Sequence, residues 1–136
     1  MVVRVKLRIK VLGSDNFVEA AVLANGGAES PRPCLVIDQE LAKKLGIELN
    51  RLKTCSVEEA SIITEAKLAE KAVEIELLDG DELLSKTIAD LVIQRDLVEP
   101  LITDITIDEL GIQVLSFSKG LWRHVNDPPQ KIRRSV

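Results

Sequence analysis

The chain begins with an alternation of apolar and basic residues that predicts a β-strand. Between Val3 and Val11 every second residue is apolar, and each residue in between is a lysine or an arginine. A period of two is typical of a strand with one buried and one solvent-exposed face. The turn-forming residues at 13–16 then predict a reversal into a second strand, Phe17–Ala24, which a glycine pair ends.

Two short helices are predicted from the signals at their ends. Asp38 is a suitable N-cap for a helix that stops before Gly46, because glycine readily adopts the left-handed conformation that ends a helix. A second helix of one turn is predicted further on, with Asp104 or Thr106 as its cap and Gly111 as its end. Each of these glycines stands in a Leu-Gly-Ile sequence.

The remaining apolar stretches predict short strands. The sequence Asp-Gly-Asp at 79–81 is a hairpin signal between two stretches of alternating residues. The further predicted strands are Cys34–Ile37, 71–78, 83–93, Leu101–Ile102, 112–117 and 121–125. The sequence therefore predicts a mainly β fold with one or two short helices.

The stretch Val57–Ala72 does not fit this pattern. It is rich in glutamate, alanine and lysine, so helix propensity alone predicts a helix. Its apolar residues do not form a tight helical stripe, however, because Ile62 and Ile63 are adjacent and Leu68 lies off their face.

The length of 136 residues favours one domain, since two well-buried cores would need a longer chain. We expect this domain to span residues 1–125. Residues 126–136 contain two consecutive prolines and three basic residues, and we expect them to form a flexible basic tail.

Charge is distributed unevenly along the chain. Residues 1–10 carry a net charge of +4 and residues 123–136 a net charge of +3, whereas the whole chain carries −4, so its middle is acidic. Basic ends are typical of proteins that contact nucleic acids or membranes. The interpretation we favour is that the ends lie against acidic surface of the same chain or of a neighbouring copy, because no base-reading motif accompanies them.

Composition excludes several classes of function. Three aromatic residues and no tyrosine offer few platforms for stacking on single-stranded nucleic acid. Two cysteines, Cys34 and Cys55, and a single histidine, His124, suit neither a zinc site nor a disulfide framework, and no phosphate-binding glycine loop is present. We therefore expect no metal and no cofactor. The sequence lacks a membrane-spanning stretch and a signal peptide, so we expect a soluble cytoplasmic protein with no nucleic-acid or membrane partner.

Two motifs carry a resemblance to a known family. The first is an elbow of sequence Asn-Gly-Gly-Ala at 25–28, followed by a strand and by the helix that ends at Gly46. The second is Leu-Ile-Thr at 101–103, followed by one helical turn and Gly111. In this order, over residues 2–125, the chain resembles the retroviral-type (retropepsin-like) aspartic peptidases, especially their small prokaryotic and archaeal relatives. The resemblance implies a closed β-barrel, a homodimer, and a groove between the two copies for a peptide or protein ligand.

The chain departs from the family at both motifs. Asn25 stands where the family has its catalytic aspartate, and Thr103 stands where the second motif has glycine. In the family each copy supplies one aspartate, and the two carboxyl groups share a proton and activate a water molecule. An amide cannot do this, so the resemblance implies a peptidase fold without peptidase activity. The vestigial site comprises Asn25, Gly26, Gly27 and Ala28, with Ile102 and Thr103 lining the groove.

Three alternatives to an inactive peptide-binding dimer stay open. An active aspartic endopeptidase would need a relocated acid, and Asp15, Asp104 and Asp108 are available by residue type, although each stands in a turn or a cap where an acid is expected anyway. Deamidation of Asn25, which the small Gly26 favours, would generate such an acid instead. A purely structural dimer is the third alternative.

Two further observations bear on these alternatives. A serine hydrolase is disfavoured, because the available serines (Ser30, Ser116 and Ser118) have only His124 as a base and lack a nucleophile-elbow motif. The family places a mobile flap hairpin where this chain has Val57–Ala72. A hairpin there would favour peptide binding and a packed helix would favour a structural role, but the stretch has no glycine for a hairpin tip.

Overall fold

A computed structural model describes residues 2–59 and 61–136 of the chain. Strands account for 52% of the residues and helices for 11%, which confirms the predicted mainly β fold with two short helices. The helices are α1 (Gln39–Lys44) and α2 (Asp104–Glu109), and Leu49–Arg51 forms a 3₁₀ turn. The strands are β1 (Arg4–Val11), β2 (Phe17–Ala24), β3 (Cys34–Ile37), β4 (Lys53–Glu59), β5 (Ile62–Asp79), β6 (Glu82–Ile93), β7 (Leu101–Ile102), β8 (Ile112–Ser116), β9 (Leu121–His124) and β10 (Arg133–Arg134).

Seven strands form the main sheet in the order β1-β2-β7-β3-β6-β5-β4. Because β1 pairs with β5 as well as with β2, the pairings return to their starting strand and leave β4 outside the ring. The pairs β2–β7 and β3–β6 are parallel, and the other pairs in this sheet are antiparallel. A second sheet has the order β10-β9-β8.

The hydrophobic core lies on the inner face of the main sheet. In β1 the apolar side chains of Val5, Leu7 and Ile9 are almost completely buried, and Val11 at the end of the strand is partly buried. They pack with buried side chains of the other strands, such as Leu35 and Ile75, with Ala42 of α1, and with Leu110, which directly follows α2. The period of two in the sequence therefore separates the core face of β1 from its outer face.

The basic side chains of β1 pair with glutamates of the same chain. Arg4 forms a bidentate pair with Glu99 (2.8 and 3.0 Å), and Arg8 lies 2.9 Å from Glu19 and 3.3 Å from Glu76. The interpretation that the basic N-terminal strand lies against acidic surface of its own chain is confirmed.

Both helices end as the sequence predicts, at glycines with positive φ: Gly46 at 77° and Gly111 at 75°. Asp38 caps α1, and its carboxylate accepts a hydrogen bond from Leu41 N. The predicted cap of α2 was wrong. Thr103 occupies the N-cap position, and Asp104 is the first helical residue because its carboxylate is engaged elsewhere.

The helix that propensity predicts over Val57–Ala72 was also wrong. This stretch belongs to a hairpin in which Lys53–Glu59 pairs with Ile62–Leu68 in antiparallel register. The pairing gives hydrogen-bond partners to the facing edges of both strands without requiring the continuous apolar stripe that the stretch lacks. Helix propensity is a weak prior that tertiary pairing overrides.

Residues 126–136, for which we expect a flexible basic tail, contact the rest of the chain at several points. Arg133 and Arg134 pair with β9, and Val136 N donates to Arg4 O (3.0 Å). The Arg133 guanidinium is buried between Asp127, Asp79 and Glu82. The segment is thus attached to both sheets by side-chain and main-chain contacts.

Candidate functional site

The elbow at residues 25–28 begins directly after β2. Asn25 N donates to Ile102 O (3.2 Å), and Ala28 N donates to Asn25 O (3.1 Å), so the second motif supports the first from the adjacent strand. Gly27 has a φ of 101°, which a side-chain-bearing residue rarely adopts. The two motifs that the sequence singles out therefore lie next to each other in space.

Asp104 forms two hydrogen bonds with the backbone of the elbow. Its carboxylate accepts a hydrogen bond from Gly27 N (2.8 Å), and its own N–H donates to Ala28 O (2.8 Å). By residue type, Asp104 is a candidate for a relocated catalytic acid. It lies beside the elbow but is not among the residues that line the groove described below, so its contacts are those of a positioning residue.

Thr103 takes part in a buried network of hydroxyl groups. Its Oγ1 lies 2.7 Å from Ser30 Oγ and 2.8 Å from Thr106 Oγ1. Thr106 Oγ1 in turn accepts from Cys34 N (2.7 Å) and donates to Cys34 O (3.2 Å). The network joins Ser30, which follows the elbow, to α2 and β3. It could not be predicted from the sequence, because these three segments are far apart in the chain.

The elbow and the β4–β5 hairpin enclose a groove of about 1060 Å³. All four elbow residues line it, and so does Thr103. Ile102, which the resemblance also places there, is wholly buried in the core and contributes only its carbonyl group to the elbow. Across the groove, the hairpin contributes Cys55, Ser56, Val57, Glu58, Ser61, Leu68 and Glu70.

The β4–β5 hairpin reverses direction without a glycine. Ser61 takes the left-handed conformation at the tip (φ 71°), which glycine would otherwise supply. Beside it, Ile62 and Ile63 are 64% and 72% exposed. Strand β4 pairs with β5 alone, so its other edge carries backbone groups that no strand in the described part of the chain satisfies.

Most of the charged side chains that line the groove are acidic. Glu29, Glu58, Glu70 and Asp90 line it, with Arg32 as the basic residue of the lining. Arg32 lies 2.9 Å from Asp90 and 3.7 Å from Glu70, and Lys71 N also donates to Asp90. The lining therefore has an excess of negative charge. The sequence did not reveal it, since these residues come from four separate segments.

The two cysteines also line the groove, as free thiols. Burial raises the pKa of Cys34 to about 12, with a smaller contribution from the charge of Asp90, and burial raises the pKa of Cys55. Both thiols are therefore protonated at neutral pH, which is unfavourable for a nucleophile or a metal ligand. Within residues 2–59 and 61–136, no cluster of side chains suits a metal ion.

His124 is engaged with the backbone through both ring nitrogens. Nδ1 accepts from Asn126 N (3.2 Å), so Nε2 carries the proton and donates to Leu110 O (3.1 Å). Of the candidate serines, Ser30 donates to Arg32 O. These contacts leave His124 without a free nitrogen to act as a general base.

A search of models of known protein families found no match to this chain, and a search of curated proteins found none. Neither α1 nor α2, each six residues long, has the length or the apolar character to cross a membrane.

Proposed function

We propose that this chain is a retropepsin-like domain without peptidase activity, whose groove binds extended peptides that carry basic side chains. The observation that carries the proposal is the groove itself, with the elbow on one side and the unpaired edge of β4 on the other. The ring of pairings closed by β1 and β5 supports the barrel that the resemblance implies.

Backbone hydrogen bonds would supply the affinity for such a peptide. An extended segment adds as a further strand to a free sheet edge, and neighbouring pockets then select among its side chains. β4 offers such an edge along residues 55–58, all of which line the groove. The exposed tip at Ile62 and Ile63 would cover apolar parts of the bound peptide.

The charges of the groove favour lysine and arginine in the ligand. Glu29 and Glu58 are exposed and have no ion-pair partner among the described residues. A basic peptide would find these carboxylates available, whereas an acidic peptide would meet like charges.

We propose no catalytic activity, because residue 25 of the elbow is an asparagine and its side chain is an amide. Paired carboxylates activate water because two like charges in close contact cannot both ionise, so that one acts as base and the other as acid. The Asn25 carboxamide takes neither role. The Asp104 carboxylate is occupied by Gly27 N and does not line the groove.

We also propose that two copies of this chain form a homodimer with their elbows facing each other. The glycines at 26 and 27 are exposed, and the half-exposed ring of Phe117 lies against Gly26, where an added Cβ would be 3.2 Å from its Cζ. This flat apolar surface beside the elbow suits the approach of a second elbow.

Peptide binding measured by fluorescence anisotropy tests the proposal. We expect a labelled lysine-rich peptide to bind and an acidic peptide of the same length not to bind. The double variant Glu29→Lys/Glu58→Lys should weaken binding about three- to tenfold, because each exposed charge contributes modestly and its sign is reversed.

The matched control is Asp108→Lys/Glu109→Lys, which changes the net charge equally on exposed residues of α2 outside the groove. Equal weakening by both double variants would contradict a specific acidic groove. A dimer in light scattering that binds neither peptide would support the purely structural dimer instead.

A further inference from the structure

Asn25 differs from the other asparagines of the chain in how its amide is held. Within residues 2–59 and 61–136, neither the Asn25 carboxamide nor the Gly26 N–H makes a hydrogen bond. Gly26 is exposed and has no side chain to obstruct its nitrogen. The carbonyl carbon of the amide and the nitrogen that follows it are thus both free of competing partners.

The other three asparagines are each restrained. The Asn16 carboxamide donates to Leu45 O (3.1 Å). The nitrogens that follow Asn50 and Asn126 are engaged, because Arg51 N donates to Glu48 O (3.3 Å) and Asp127 N donates to His124 O (2.9 Å). In addition, Asn25 alone is followed by glycine.

We infer that Asn25 is a site of spontaneous deamidation. Gly26 N, after losing its proton to solvent, attacks Asn25 Cγ, and ammonia leaves as a five-membered succinimide ring closes. Water then opens the ring. Cleavage of the bond between this nitrogen and Cγ gives aspartate, and cleavage of its bond to the main-chain carbonyl carbon gives isoaspartate. The net reaction consumes one water molecule, releases one ammonia and involves no oxidant.

The conversion adds a negative charge to the elbow, where it faces the acidic lining of the groove. In molecules that convert to aspartate, the new carboxylate is on the side chain of residue 25 and the main chain is unchanged. In molecules that reach isoaspartate, the main chain gains one carbon atom between the Cα atoms of residues 25 and 26, so the hydrogen bond from Ala28 N to Asn25 O is displaced.

Peptide mapping by mass spectrometry of the folded protein, incubated at mildly alkaline pH, tests this inference. We expect Asn25 to convert first, with Asn16, Asn50 and Asn126 as internal controls in the same digest. Gly26→Ala should slow the conversion several-fold, because the added methyl group hinders ring closure.

An independent variant, Asn25→Gln, should stay unconverted, since its longer side chain closes a less favourable ring. If Asn25 stays intact in the folded protein but converts in the urea-unfolded chain, the inference is wrong. The elbow then keeps Gly26 N from reaching Asn25 Cγ. Conversion of all four asparagines at equal rates would overturn it too. The readout is a mass, so neither result depends on peptide binding.

Discussion

Asn25→Asp is expected to turn this chain into an acid-dependent endopeptidase, while freshly prepared natural protein, in which Asn25 is unconverted, cleaves nothing. The variant places a carboxylate at the elbow of each copy, and in a dimer the two would share a proton and activate water between them. Positioned general acid–base groups contribute about 10²- to 10⁴-fold to such rates. We expect activity to be highest at acidic pH and to fall as both carboxyl groups ionise.

Cleavage of an unfolded protein substrate, scanned from acidic to neutral pH, measures this effect. Asn25→Gln is the matched control, because it alters the same position and keeps an amide. In the proposed dimer each copy supplies only one acid, so dilution of the variant to the monomer should abolish the activity. If the natural protein and the variant cleave alike, the catalytic acid lies elsewhere and the assignment of the elbow fails.

Arg133→Ala is expected to cost about 3–5 kcal/mol of folding free energy, the range for removing one partner of a buried ion pair. The Arg133 side chain is only 5% exposed and pairs with Asp127 through two hydrogen bonds of 2.8 Å. It also pairs with Asp79 and lies 5.8 Å from the centre of the Trp122 ring. Its loss removes the cation that forms an ion pair with the Asp127 carboxylate, which is only 8% exposed.

Urea unfolding measures the free energy of unfolding of Arg133→Ala, with Arg134→Ala as the control. Arg134 is the exposed neighbour on the same strand, so the control separates loss of the ion pair from general effects on β10. The control should change the free energy of unfolding by less than about 0.5 kcal/mol. Equal changes in the two variants would show that the ion pair contributes nothing beyond the strand pairing.

The same ion pair predicts how stability depends on pH. Arg133 holds the pKa of Asp127 well below its ordinary value of 3.8. A lowered pKa in the folded state stabilises the protein fully above the unfolded value, and this contribution is lost as the pH falls from 3.8 towards the lowered pKa. Unfolding curves at pH 7 and pH 3 should therefore differ more for the natural protein than for Arg133→Ala.

Local patterns predicted most of the strands and both helix ends. The alternation in β1 placed Leu7 and Ile9 in the core, and Gly46 and Gly111 end their helices, because both signals act within a few residues. The cap of α2 was predicted wrongly since Asp104, a good cap by type, bonds instead to Gly27, which is distant in sequence.

The hairpin and the groove could not be predicted in the same way. Propensity favours a helix over Val57–Ala72, whereas long-range pairing with β6 and β4 fixes β5 as a strand. The acidic lining joins Glu29 to Glu58, Glu70 and Asp90 only after folding. The sequence indicated the elbow and its neighbour Thr103, but it contained no signal for the hydroxyl network or for the charge around them.

Backbone amide exchange, measured with and without a lysine-rich peptide, shows whether the groove binds a peptide along the edge of β4. We expect slower exchange at alternate amides of residues 55–58, because the peptide pairs with the free edge of β4. We also expect the peptide to be recovered intact from freshly prepared natural protein, in which Asn25 is unconverted. Unchanged exchange in β4 under saturating peptide, or a cleaved peptide, would contradict a groove that binds without cleaving.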